Sequence, residues 1–299
     1  MNQNKKNTKL FKWLLTQPIV IQLAVLIGRI LPRKWGLKLV TPIGTLLGSS
    51  KKSPMVKAIR ANQWVIHNQS LTEEELDELP KIVFRSAARC TFDYYYFLSR
   101  AEKIEAVVDF SHEVNTAFER IRNNEPSVFV CPHLSNFELM GYAFALNNID
   151  VQVLSYPNPN ASYKLQNQLR ESLGITVTPM SLSAFRQARK RLRDGGSILT
   201  GFDRPLTGNL LEKYRPEFFG HPTNLPVTYV RMAKEANAPV IIMAATPRPG
   251  NRYCLEGSQP IWMDSANDLE TEILHNAGKV LTEAEGLIGV TVMPKLSRS

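Results

Sequence analysis

His133 and Glu138 stand five residues apart in the run Val130-Cys-Pro-His-Leu-Ser-Asn-Phe-Glu-Leu, which leaves an apolar segment and enters a helical pattern. On a regular helix, five steps of about 100° put two side chains on different faces, so these two meet only if His133 lies outside the helix. The sequence supplies such a break. Ser135 followed by Glu138 has the spacing of a capping box, with Ser135 as N-cap and Glu138 at the third helical position. His133 then sits on the loop, two residues before the cap. A carboxylate bonded to one imidazole nitrogen fixes the tautomer and stabilises the imidazolium, leaving the other nitrogen to take a proton from a hydroxyl. Backbone N–H groups at the helix start would steady a developing oxyanion. The competing reading is a plain structural cap in which His133 plays no part.

The elements that must position these residues read as alternating strands and helices. Apolar runs at 127–131, 151–155, 175–179, 197–202 and 239–245 predict buried strands. Helical patterns at 137–147, 161–173, 183–193 and 227–236 lie between them. That alternation predicts an α/β layer structure with a central mixed sheet flanked by helices. Upstream, 113–123 reads as a helix and 55–100 as helical, with a start signal where Thr72 precedes Glu75 by three residues. The expected organisation is a membrane-associating helical segment over 1–54 and a main domain over 55–299, helical to 124 and α/β from 125.

Composition bounds the function. With 43% hydrophobic and 21% charged residues in 299, the chain has enough apolar mass for a full core. Its net charge of +9 suits anionic membrane, phosphorylated small molecules or nucleic acid. The basic residues lack interleaved stacking aromatics or a reading motif, which argues against nucleic acid. Cys90, Cys131 and Cys254 form no C-x-x-C pair, which argues against a disulfide framework or zinc site and suits a reducing compartment. The five scattered histidines offer no metal-binding spacing, so no metal is expected. No P-loop, G-x-G-x-x-G or G-x-S-x-G motif appears, leaving nucleotide hydrolysis, dinucleotide chemistry and a serine nucleophile without support.

The first 54 residues point to a lipid surface. Residues 10–31 are mostly apolar, but Lys12, Gln17, Gln22 and Arg29 interrupt them and Pro18 stands inside, so the clean run is too short to span a bilayer. A helix lying in the interface is expected, with Trp13 and Trp35 at headgroup level. Arg29, Arg33, Lys34, Lys38, Lys51 and Lys52 would be drawn to anionic lipid at about 1 kcal/mol each. Within 183–193, Arg186, Arg189, Lys190 and Arg193 fall on one helical face at offsets 0, 3, 4 and 7, while Phe185, Ala188 and Leu192 fall on another. Such a basic face suits phosphates, an acidic protein partner or lipid headgroups, and Arg189 is taken as a substrate-binding candidate.

The block His-Leu-Ser-Asn-Phe-Glu at 133–138 resembles the H-x4-D/E motif of the lysophospholipid acyltransferase superfamily, most closely the lipid A lauroyl/myristoyl and phosphatidylinositol mannoside acyltransferases. Asn167-Gln-Leu-Arg170-Glu-Ser-Leu-Gly174 resembles the segment whose arginine lies near the active site. Leu192-Arg-Asp-Gly-Gly-Ser with Gly201-Phe-Asp203 resembles the strand ending in an active-site aspartate. Phe218-Phe-Gly220 through Ala233 and Ala238-Pro-Val, and upstream Ala58-Ile-Arg-Ala-Asn62, match further blocks in order. The glycerolipid branch's F-P-E-G-T-R-S block is replaced here by Thr200-Gly-Phe-Asp203-Arg204-Pro, which argues against that branch. The lipid A enzymes' C-terminal acidic-Gln-Trp block is missing, which leaves the acceptor and the C-terminal architecture open.

The resemblance implies an acyltransferase with His133 as base and Glu138 as the acid that orients it. Arg170, Asp203, Arg204 and Asn136 are its implied substrate-binding residues, and no cofactor is needed beyond an acyl-CoA or acyl carrier protein thioester as co-substrate. The implied acceptor is a hydroxyl of a lipid or glycolipid, and the implied place is the cytoplasmic face of the inner membrane. Two other readings stand beside it: a lipid or thioester hydrolase, and a non-catalytic membrane lipid-binding protein.

Overall fold

The computed structural model describes residues 18–159, 161–172, 174–204 and 214–292. Trp13 and Lys12, assigned above to the membrane interface, lie outside the described residues. The chain divides into two compact units: a helical one, Met1–Ile104 with Tyr156–Gly174, and an α/β one, Glu105–Ser155 with Ile175–Ser299.

The helical unit holds α1 (Pro18–Ile30), α2 (Arg33–Gly48), α3 (Pro54–Ile66), α4 (Glu73–Phe97) and, inserted much later in the chain, α7 (Ala161–Glu171). Helices α1, α2 and α3 all pack on α4, so residues before and after position 54 share one unit. Pro32 separates α1 from α2 and acts as the N-cap of α2. The start signal at Thr72 is a true capping box. The Glu75 N–H donates to Thr72 Oγ1 at 3.3 Å, and the Thr72 N–H donates to Glu75 Oε2 at 2.8 Å. Glycines set the helix contacts. A Cβ on Gly28 would lie 2.6 Å from the Tyr95 carbonyl carbon, and one on Gly44 would lie 2.6 Å from the Phe84 carbonyl oxygen. Both approaches are onto the α4 backbone, which only a residue without a side chain permits. Arg33 adds a fixed point, donating from Nε and Nη2 to the two oxygens of buried Asp93 at 2.7 and 2.8 Å.

The inward faces of α1 and α2 thus carry glycines at their closest approaches to α4, beside buried Ile21 and Leu37, and their outward faces are apolar. Ile19, Leu23, Leu26, Ile27 and Ile30 on α1 are exposed, as are Trp35, Leu39, Ile43, Leu46 and Leu47 on α2. Each set recurs every three or four residues, the mark of a single stripe. Among the described residues no helix is long and apolar enough to cross a membrane.

The α/β unit runs β1 (Val108–Phe110), α5 (His112–Arg122), β2 (Val128–Cys131), α6 (Glu138–Leu146), β3 (Val151–Ser155), β4 (Thr176–Pro179), α8 (Leu182–Arg193), β5 (Ser197–Gly201), the hairpin β6 (Glu217–Phe218) and β7 (His221–Pro222), α9 (Thr228–Glu235), β8 (Val240–Arg248), β9 (Arg252–Gly257) and α10 (Leu269–Val292). Seven strands form one mixed sheet in the order β1-β9-β8-β2-β5-β3-β4, with β8 and β9 the antiparallel pair. The expected mixed α/β architecture is therefore present. The central strands are buried on both faces and read as continuous apolar runs, as parallel strands do. Alternate residues of β2 and β5 (Val128, Val130, Ile198) join Leu192 of α8, Val230 of α9 and Val280 of α10 in one core, while Phe129 packs on Phe144 of α6 across the other face.

Candidate active site

Strand β2 lies between β5 and β8. From β2 the chain crosses through α6 to β3 on one side, and from β5 it crosses through α9 to β8 on the other. The connections part between β2 and β5, and in open α/β sheets the crevice at the carboxyl ends beside such a switch point is where ligands bind. The register makes Cys131 the neighbour of Gly201. Two residues beyond Cys131 is His133, and two residues beyond Gly201 is Asp203. Parallel pairing with equal offsets brings them together.

Asp203 holds the histidine with both oxygens. The His133 ring Nδ1 donates to Oδ1 at 2.6 Å, and the His133 backbone N–H donates to Oδ2 at 2.8 Å. The ring is wedged between two further residues. A Cβ on Gly201 would come within 2.7 Å of His133 Cε1, so the bare glycine leaves room for the imidazole. The Phe137 ring stands edge-on to it with centroids 4.8 Å apart. The His133 side chain is 24% exposed, and Nε2 has no hydrogen-bond partner among the described residues. Burial pushes the Asp203 carboxyl upward, but the ring hydrogen bond, the imidazole's charge and the backbone N–H together hold it below the ordinary aspartate value. Asp203 is therefore an anion at neutral pH, suited to fix the Nδ1–H tautomer and stabilise an imidazolium.

The sequence reading is corrected here in two respects. The carboxylate that bonds the imidazole is Asp203, not Glu138. Ser135 is also not the N-cap of the helix. Glu138 opens α6, Phe137 is its N-cap, and Ser135 lies in the preceding turn at φ +49°. The tight path from Pro132 to Phe137 bends the chain before the helix starts, so His133 and Glu138 are not brought together by a cap. Asn136 is buried in the same turn, where its carbonyl accepts the Leu139 N–H at 3.0 Å. Arg204 follows Asp203 and is exposed.

Two predicted residues belong to other helices. Arg170 belongs to the helical unit, on α7, where it donates to Asn167 Oδ1 at 2.7 Å and lies 5.5 Å from the Tyr163 ring centroid. Arg189 on α8 pairs with Glu235, the last residue of α9, at 2.9 Å. Helix α9 leads into the amino end of β8, so Arg189 is not a partner of the histidine at the carboxyl ends. Gly201 and Phe137 were not picked out from sequence. The signal for Gly201 is its place at the end of the strand before Asp203.

A half-buried carboxylate gripping an imidazole at a switch-point crevice places the molecule in a class: an α/β protein with a histidine held so that it can serve as a base. The family follows from comparison. A family model described as bacterial lipid A biosynthesis acyltransferase matches residues 3–271, and the chain belongs to that family. Phosphatidylinositol mannoside acyltransferases from two strains of Mycobacterium tuberculosis are each 29% identical over 119 residues, 38% of this chain and 37% of theirs. The matched segment thus spans under two-fifths of those relatives. The 1-acyl-sn-glycerophosphate acyltransferase PlsC from Thermotoga maritima aligns over 84% of this chain and 97% of its own, with a TM-score of 0.39 and 12% identity.

Proposed function

We propose that this protein transfers a fatty acyl group from a thioester, on coenzyme A or an acyl carrier protein, to a hydroxyl of a lipid or glycolipid at a membrane surface. The observation that carries the reading is the double grip of Asp203 on His133, which leaves Nε2 as the ring's available base. In this mechanism the acceptor hydroxyl gives its proton to Nε2 as its oxygen attacks the thioester carbonyl carbon. The tetrahedral oxyanion collapses, the C–S bond breaks, and the imidazolium returns its proton to the departing thiolate. Asp203 acts through the histidine as its positioning residue. Membership of the lipid A acyltransferase family supports the reaction type. The exposed apolar stripes of α1 and α2 support a lipid surface as the place where the acceptor is met. Both lie in the helical unit, where no described helix is long and apolar enough to cross a membrane, and the attachment proposed is peripheral or monotopic, on the cytoplasmic face where thioester donors occur.

The test is product analysis. Purified protein with an acyl thioester and a bilayer-dispersed lipid extract is expected to yield an acylated lipid by mass spectrometry. His133→Ala lowers that yield by about 10³-fold or more. Free fatty acid with no acylated lipid would assign water as the acceptor and make the protein a hydrolase.

A further inference from the structure

Helix α8 carries a second arrangement, separate from the histidine. Leu182, Arg186, Arg189 and Arg193 fall at offsets 0, 4, 7 and 11, a single stripe on its outer side. Leu182 is 77% exposed, unusual for a leucine beside three arginines. The three arginines and Met232, Glu235 and Ala236 of the α9 region line a cavity of about 240 Å³. The other cations of the helix are engaged: Lys190 with Asp194 and Arg191 with Asp150, each at 2.7 Å. Arg189 is paired with Glu235. Arg186 and Arg193 have no hydrogen-bond or ion-pair partner among the described residues.

We infer that this stripe is a docking surface for an acidic helix on a protein partner. Three features favour that occupant. The two unpartnered guanidiniums are seven residues apart, about 10 Å along the helix axis, farther than one carboxylate or phosphate bridges but matched by two carboxylates seven residues apart on a facing helix. Glu235 already supplies an anion to Arg189 in the middle of the row, which disfavours a single trivalent phosphate cradle. Leu182 adds an apolar anchor at one end, which a soluble phosphate does not use, while the concave floor beside Met232 suits an inserted side chain better than a flat bilayer. Resting on the acyl-transfer reading above, the partner of this chemistry is an acidic carrier protein holding the acyl chain as a thioester.

The experiment measures binding, not turnover, so it is independent of the proposed reaction. The full chain is immobilised and titrated with an acylated acidic carrier protein at two salt concentrations. Wild type binds and weakens with salt. The Arg186→Glu, Arg193→Glu double variant binds at least about tenfold more weakly, and Leu182→Ser weakens binding a fewfold. These residues are exposed, and circular dichroism verifies that each variant is folded. Absence of carrier-protein binding by wild type, or equal binding by the double variant, overturns the inference. So does an equal loss towards vesicles containing anionic phosphatidylglycerol or towards acyl-CoA, which reassigns the stripe to headgroups or to a small phosphorylated donor. Carrier binding that depends on these arginines in a chain that forms no acyl lipid leaves the docking surface standing and sinks the reaction instead.

Discussion

The two units of this molecule place their apolar residues in opposite ways. In the α/β unit, Val128, Phe129, Val130, Ile198, Ile241 and Ile242 are shut inside the sheet layers, each exposed by 1% or less. In the first two helices Gly28, Gly36, Gly44 and Gly48 stand at inward positions beside buried Ile21 and Leu37, while most of the isoleucines and leucines and a tryptophan face outward. Water drives the first arrangement, because burying apolar area gains about 25 cal/mol per Å². It cannot drive the second. Helices that meet through glycine and close backbone approach, with an Arg33–Asp93 pair at 2.7 Å and apolar side chains outside, pack in the manner that helices use in lipid, which is what the proposed membrane surface requires. The difference teaches where the proposed lipid surface would act: the outer stripes of the first two helices are the apolar area that the fold itself leaves uncovered.

The largest effect is expected from making those stripes polar. Leu26→Glu with Leu39→Glu removes two exposed anchors, each contributing about 1.5–3 kcal/mol when buried in lipid, so partitioning onto vesicles falls by about 10² or more. Surface substitutions of this kind change folding stability by only about 0.5 kcal/mol. Co-sedimentation with vesicles together with a denaturant midpoint reads both quantities. Unchanged vesicle binding would remove the contrast between the units.

The glycines give a smaller, paired test. Gly44→Ala puts a methyl 2.6 Å from the Phe84 carbonyl and is expected to destabilise by about 1–3 kcal/mol. Gly278→Ala, on α10 with nothing within 4 Å, is expected to stabilise by about 0.5–1 kcal/mol. Thermal midpoints of the two variants should move in opposite directions.

The smallest effect concerns pH. The Asp203 carboxyl is held below its unfolded value, so its contribution to stability is complete above about pH 4 and is lost as the pH falls through the lower folded value. The stability gap between wild type and Asp203→Asn should stay level from pH 7 to about 4 and then close, as read by denaturant titration at each pH.

Much of the α/β unit was legible because each buried parallel strand is a short apolar run closed by a turn, and 151–155 matches β3 residue for residue. Strand β9 and helix α10 were not. Arg252-Tyr-Cys-Leu-Glu-Gly mixes charge with apolar residues because β9 sits near the sheet margin, and the C-terminal helix carries glycines that its outer face tolerates. His133 was legible from its place between strand and helix. Asp203 was placed at the site by resemblance, but its grip on the imidazole was not legible, since local spacing favours Glu138 whereas the contact to Asp203 depends on strand order, seventy residues away in sequence. The apolar character of 10–31 was visible in the sequence, but the stripe on α2 and the glycine contacts of both helices needed the position of α4.

The most direct measurement compares Asp203→Asn with Glu138→Gln by kcat for acyl transfer, at saturating donor and with folding verified. If Asp203 holds the catalytic imidazole, Asp203→Asn loses about 10²–10⁴-fold in kcat with little change in KM, and the loss exceeds that of Glu138→Gln. A near-wild-type Asp203→Asn beside an inactive Glu138→Gln would contradict the account and return the histidine to the acid five residues along the chain.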